Sequence, residues 1–232
     1  MKLLQKLKSE KARNVISFGV FITLILSCAY SIVHIVLAPS GAVAEQSVKL
    51  KSDYVLMLIQ CILGLIVMML PAIIERRLKI IMPNYMHICF VLFLYAGIYL
   101  GEVRSFYYLV PHWDTILHTF SGVMLGALGY AIVDMLNSQE KINVHMSPVF
   151  VALFAFCFAV AMGTIWEIYE FTVDRLLSLN MQKYAMENGT VLLGAEALMD
   201  TMKDLIVDTL GALVFTLIQL FGKLGRLKSK QQ

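Results

Sequence analysis

The chain has 232 residues, of which 59% are hydrophobic and 15% charged, and a mean hydropathy of +0.76. An average soluble domain carries about 25% charged residues, so this composition excludes an ordinary soluble globular protein and points to an integral membrane protein. The net charge of +3 arises largely at the two ends of the chain, where Lys and Arg flank apolar blocks, which suits anionic lipid and argues against nucleic acid as a partner.

Residues 1–14 read as a basic amphipathic lead-in lying at a cytoplasmic interface, with Leu3, Leu4 and Leu7 against Lys2, Lys6, Lys8 and Lys11. Six apolar blocks follow, at 15–37, 54–74, 85–101, 114–136, 148–171 and 204–224, and a basic tail closes the chain at 225–232. Blocks of about 20 residues cross about 30 Å of hydrocarbon as helices, because only a helix or a closed barrel satisfies its backbone in lipid. The expectation is an all-α polytopic bundle with about six transmembrane helices, forming a single transmembrane domain over 15–224.

The first block precedes Ala42-Val43-Ala44, which imitates a signal-peptidase site, but the block exceeds the apolar length of a signal peptide and a retained helix is expected. The cysteines Cys28, Cys61, Cys89 and Cys157 lie inside apolar blocks without C-x-x-C spacing and read as small buried hydrophobes. Pro148 suits the first turn of the fifth helix. A connector of about 30 residues, 175–203, is expected to lie along the membrane or over helix ends. It contains the sequon Asn188-Gly189-Thr190, a pattern short enough to arise by chance.

Six crossings place both termini on one side. Six of the 19 Lys and Arg fall in one set of loops, namely Lys49, Lys51, Arg104, Arg175, Lys183 and Lys203. The rest fall in the lead-in, the 75–83 and 137–147 loops and the C-terminal end. The positive-inside rule therefore puts both termini in the cytoplasm of a multi-pass cell-membrane protein, with Tyr107, Tyr108, Trp113, Trp166 and Tyr169 as an aromatic belt on the outer face.

With this topology three helices carry acids at one depth. Asp114 and His118 share a face at the start of the fourth block, and Glu167, Glu170 and Asp174 fall within about 60° of one another at the end of the fifth. Asp200, Asp204 and Asp208 follow at i, i+4 spacing near the start of the sixth. Capping is an alternative for Asp114, Asp200 and Asp204, which sit near helix N-termini. It fails for Glu167 and Glu170, which sit near a C-terminus that disfavours anions by roughly 0.3–1 kcal/mol each. Asp174 lies further out, where solvent satisfies it, and Asp208 is left outside the ligand set. Arg104, Arg175, Lys203, His112 and His118 are too few to neutralise seven acids. Ser121, Gly122, Gly126 and Gly129, with Gly211 and Ala212, let the helices approach just below the acids.

The segments Trp113 to Gly122, Trp166 to Glu170 and Asp200 to Asp204 with Gly211-Ala212 resemble the YjdF-like family of uncharacterised bacterial multi-pass membrane proteins. In that family a D-x-x-x-H helix, an E-x-x-E helix and a D-x-x-K-D helix start recur in this order. The resemblance covers roughly residues 80–220 and implies an architecture and site positions. A fainter similarity to VanZ-like proteins, which are linked to the cell envelope and glycopeptide resistance, rests on the same D-x-x-x-H and acid-bearing helices. The motifs of lipid phosphatases, prenyl endopeptidases, nucleophile-elbow hydrolases and H-E-x-x-H metalloproteases are missing from the sequence.

The His-and-carboxylate set suits a metal-dependent or acid/base enzyme acting on a lipid or envelope precursor. Glu167, Glu170 and His118 are the candidate catalytic groups, and Asp114, His118, Glu167, Asp200 and Asp204 the candidate metal ligands. One histidine among oxygens favours Mg²⁺, Mn²⁺ or Ca²⁺ over structural zinc, and no organic cofactor is implied. The alternatives are a non-catalytic scaffold, whose acids bond helices together, and a proton- or cation-coupled carrier. Against the carrier, the midplane lacks ionisable residues and no inverted repeat is visible. The expected topology is testable with reporter fusions: alkaline phosphatase joined after residue 180 should be active, and joined at the C-terminus inactive. The opposite pattern reverses the predicted orientation.

Overall fold

A computed structural model describes residues 2–40, 49–78, 83–137, 146–186 and 190–229. Ala42-Val43-Ala44 lies outside these residues, as do Asn188 and Gly189 of the sequon and much of the 75–83 and 137–147 loops. The protein is all-helical. In chain order it has α1 (Lys2–Leu37), α2 (Lys51–Val67), α3 (Leu70–Leu78), α4 (Asn84–Leu94), the short α5 (Phe106–Leu109), α6 (Trp113–Asn137), α7 (Pro148–Leu177) and α8 (Ala195–Ser229). The helix begun by α4 continues as a π-helical stretch, Tyr95–Val103. Among the described residues six helical segments are long and apolar enough to cross a membrane: Ser9–Leu37, Lys51–Arg77, Asn84–Val103, Trp113–Asp134, Pro148–Leu177 and Ala195–Arg226.

These six coincide with the six expected blocks, and their edges differ for local reasons. The lead-in and first block form one unbroken helix. The second span is interrupted between α2 and α3, where Pro71 supplies no N–H and its ring crowds the carbonyl four residues back. The fifth begins as expected: the Ser147 hydroxyl accepts the Phe150 N–H at 3.2 Å, and Pro148 occupies the first helical position. That helix runs six residues beyond the expected 171, and α8 starts nine residues before the expected 204. The connector is correspondingly shorter. It is pinned by Asn180, whose amide bonds both the N–H and the carbonyl of Ala185 at 3.0 and 2.6 Å, and it closes one antiparallel bridge between Ala185 and Val191.

The chain divides into two compact units. The first comprises residues 1–113 with 178–180 and 185–192, and its core is Val20, Leu24, Cys61 and Val91. Within it carbonyls of the π-helical stretch also accept side-chain donors: the Trp113 indole N–H donates to the Ala96 carbonyl at 3.3 Å. The Lys49 ammonium donates to the Glu102 and Val103 carbonyls at 3.2 and 3.3 Å. Gly101 is required there, because a Cβ would lie 2.4 Å from the Tyr107 ring.

The second unit comprises residues 114–177, 181–184 and 193–232, and contains most of α6 with all of α7 and α8. Its core is Tyr130, Val133, Val151, Ala152 and Ala155, with Phe215 and Leu220 packed against it. The small residues of α6 sit where the helices cross. A Cβ on Gly122 would lie 2.2 Å from the Asp208 carbonyl oxygen, and one on Gly211 would lie 2.4 Å from the Thr119 carbonyl oxygen. Gly126 faces Phe215 and Ala212 on α8, while Gly129 meets Ala155 on α7. The G-x-x-x-G stripe thus serves α8, and its continuation serves α7.

The outward surfaces are apolar, as a bilayer requires: Leu153, Ile168, Ile206 and Phe221 on α7 and α8 are all exposed. The cysteines depart from the expectation of uniform burial. Cys61 is buried and Cys28 half-buried, but Cys89 and Cys157 lie on exposed helix faces; all four are free thiols. Lipid accepts a thiol as readily as a core does, so an apolar block does not mark which face a cysteine takes.

The crossing makes a direct prediction. Gly122→Ala and Gly211→Ala should each lower the unfolding temperature of the detergent-solubilised protein, with overpacking costs of about 1–3 kcal/mol. Gly222→Ala, where no atom lies within 4 Å of an added Cβ, should leave it unchanged.

Candidate functional site

The second unit collects one His, one Ser and several acids from its three helices. On α6, Asp114 and His118 lie one turn apart, with Nε2 of His118 3.6 Å from Asp114 Oδ1. On α8, Asp204 and Asp208 lie one turn apart and meet the same ring, Asp204 at the nitrogen that faces Asp114 and Asp208 at the other. His118 Nε2 is 3.9 Å from Asp204 Oδ2, and Nδ1 is 3.1 Å from Asp208 Oδ2. The Ser121 hydroxyl, one turn along α6, contacts Asp208 Oδ1 and lies 2.9 Å from the His118 carbonyl. The register that seats Gly122 on the Asp208 backbone therefore also places the Asp208 carboxylate between Ser121 and His118.

Helix α7 supplies the third wall. A Cβ on Gly163 would lie 3.0 Å from Asp208 Oδ2, so glycine leaves space for that carboxylate. One turn later Glu167 is buried with 4% exposure, within Coulombic reach of His118, Asp200, Asp114 and Asp208. Neither of its carboxylate oxygens has a hydrogen-bond partner among the described residues. The same holds for Oδ1 of Asp204, a residue with 3% exposure, and for the Thr115 hydroxyl. Leaving a buried polar group unsatisfied costs about 1–3 kcal/mol, and more when it is charged.

Of the expected ligands, Asp114, His118 and Asp204 converge: each offers a donor atom within 4.8 Å of the others, the only spacing of this kind seen among the described residues. Glu167 and Asp200 lie outside that trio. Asp200 and Glu170 are half-buried and within Coulombic reach of Lys183, a connector residue. Sequence reasoning overlooked Lys183 because the path of the connector decides where its charge goes. Among the other bases, Arg175 stacks 5.7 Å over the Phe171 ring, Lys203 lies within reach of Asp200, and Arg104 and His112 belong to the first unit.

Two expectations need correction and one is refined. Asp174 is not left to solvent: it has 5% exposure, and its carboxylate accepts the backbone N–H groups of Met181 and Gln182 at 2.7 and 3.0 Å, anchoring the connector to α7. Asp208 stays outside the ligand trio but is not idle: of the acids around the imidazole it lies nearest, and its i, i+4 spacing from Asp204 gives its face without naming that partner. The helix-end arguments also change, because α8 starts at Ala195 and α7 ends at Leu177. Asp204 lies beyond the first turn, where capping and the macrodipole act, and Glu167 lies nearly three turns before the C-terminus. Burial, not the helix dipole, is what sets Glu167 apart.

A family model described as "Predicted membrane protein (DUF2238)" matches residues 22–223. An uncharacterised protein of Thermotoga maritima is 32% identical over 128 residues, covering 55% of this chain and 57% of that protein, so the match spans little more than half of either. No solved structure matches. The family match takes in all three helices of the site and well over half of the sequence, and the chain therefore belongs to the DUF2238 family of predicted membrane proteins.

Proposed function

We propose that the second unit holds a divalent cation and works as a metal-dependent membrane enzyme on a lipid or cell-envelope substrate. The observation that carries this reading is the pair of unpartnered Glu167 oxygens, buried together with an unpartnered Asp204 oxygen beside the Asp114–His118–Asp204 trio. Desolvated carboxylates at such a density need a cation or protons. Asp114, His118 and Asp204 are the first ligands, with Glu167 and Asp200 able to complete the shell. A bound dication would polarise a substrate oxygen or generate a nucleophilic water.

Glu167 and Glu170 are the acid/base candidates. Glu167 has no hydrogen bond to its carboxylate among the described residues, and Glu170 lies half-buried one turn along the helix, close enough in sequence to share a proton with it. Trp166 and Tyr169, their rings 5.3 Å apart, flank these acids with an amphipathic aromatic surface of the kind that sits at a lipid headgroup boundary. That surface, the outward orientation inferred from the loop charges, and the fainter VanZ-like resemblance favour an outer-leaflet or envelope substrate. One observation favours the scaffold reading instead: His118, Ser121 and Asp208 tie α6 to α8 by direct hydrogen bonds that need no ion.

Titration of chelator-stripped protein in detergent separates the two. The enzyme reading expects one divalent ion per chain, with His118→Ala and Asp204→Asn each weakening binding at least tenfold. Glu167→Gln should raise the unfolding temperature of the metal-free protein by removing a buried charge, and should diminish the stabilisation gained on adding metal. Absence of divalent binding, together with an unfolding temperature that His118→Ala lowers in every buffer, assigns the acids to helix packing.

A further inference from the structure

The side of the imidazole away from the ligand trio carries information about which cation the site takes. His118 Nδ1 is 3.1 Å from Asp208 Oδ2, while Nε2 faces Asp114 and Asp204 at 3.6 and 3.9 Å. Asp208 is itself held. The Ser121 hydroxyl contacts its Oδ1, Gly163 leaves room for Oδ2, and its backbone is clamped by Gly122. With 4% exposure it has little access to solvent. A carboxylate fixed in this way accepts the Nδ1–H, which leaves the Nε2 lone pair directed at the two acids. Carboxylate-backed histidines of this kind are characteristic of metal ligands, since the outer carboxylate fixes the tautomer and raises ligand basicity.

We infer that Asp208, positioned by Ser121, makes His118 Nε2 the selectivity-determining ligand of the site, so that it takes a borderline transition-metal dication such as Mn²⁺, Fe²⁺ or Zn²⁺ in preference to Mg²⁺ or Ca²⁺. The inference rests on the cation-binding reading above and sharpens it. Oxygens alone, as supplied by Asp114, Asp204 and Glu167, suit Mg²⁺ and Ca²⁺. An imidazole with its lone pair presented and its other nitrogen backed by a carboxylate favours the transition ions, for which nitrogen is the better donor. The sequence alone favoured Mg²⁺, Mn²⁺ or Ca²⁺ over structural zinc, because one histidine stands among many acids and nothing in their spacing shows that a further acid backs the ring. Asp208 is a positioning residue, since it acts through His118.

The test is metal titration of the full-length, chelator-stripped protein in detergent with Mn²⁺, Zn²⁺, Mg²⁺ and Ca²⁺ separately. Wild type should bind Mn²⁺ and Zn²⁺ at least tenfold more tightly than Mg²⁺ or Ca²⁺. Asp208→Asn should weaken the two transition ions by about ten- to a hundredfold while changing Mg²⁺ and Ca²⁺ little, so that the selectivity ratio collapses. A folding defect would lower all four together, which makes the ratio the diagnostic quantity. Ser121→Ala should shift the ratio in the same direction by a smaller factor, and it carries the test if Asp208→Asn does not fold. A wild-type ratio near one, or a ratio that survives both substitutions, overturns the inference while leaving cation binding intact. Failure of all four ions to bind overturns both.

Discussion

The second unit depends on how closely α6 and α8 approach. Gly122 meets the backbone of Asp208, and Gly211 meets the backbone of Thr119, at separations that no side chain would allow. In lipid, where apolar side chains gain little by leaving one apolar medium for another, such backbone contact is a main source of helix association. It also fixes the register: with Gly122 opposite Asp208, Ser121 and His118 on α6 are brought against Asp204 and Asp208 on α8. The packing contact and the polar cluster are one arrangement, and the cluster inherits the precision of the glycine contact.

A membrane-spanning unit that concentrates carboxylates runs against its own solvation. Glu167 and Asp204 are buried with oxygens that have no partner among the described residues, while other acids of the unit are handled differently. Asp174 is consumed by two backbone N–H groups, Asp208 by an imidazole and a hydroxyl, and Asp134 by the ammonium of Lys223 at 2.8 Å. Acids with structural duties have their partners in place. The contrast isolates Glu167 and Asp204 as the buried acids with carboxylate oxygens left unsatisfied among the described residues.

Most of the architecture was legible in the sequence, because hydrophobic block length is a strong signal and six blocks became six spans. Convergence of Asp114, His118 and Asp204 was legible as well, since it needs only the order of crossings and i, i+4 spacing. What escaped depends on three-dimensional path. The extension of α7 to Leu177 and the early start of α8 cannot be read from hydropathy, because polar helical turns outside the apolar block look like loop. Asp174 and Lys183 take their roles from the fold of the connector. Asp208 was undervalued because its spacing gives a face but not the partner on that face.

The π-helical stretch in the first unit changes how that part of the chain must be read. With i→i+5 bonding, as between the Arg104 N–H and the Tyr99 carbonyl at 2.9 Å, each residue turns through a smaller angle than in an α-helix. Over Tyr95–Val103 the side chains drift out of phase with the 3.6-residue pattern of α4, so a helical wheel drawn through the whole span misassigns its last two turns. The stretch acts as a phase adjuster that brings Gly101 and Glu102 inward. It is also where this helix can best absorb the loss of one residue, by tightening from π to α winding.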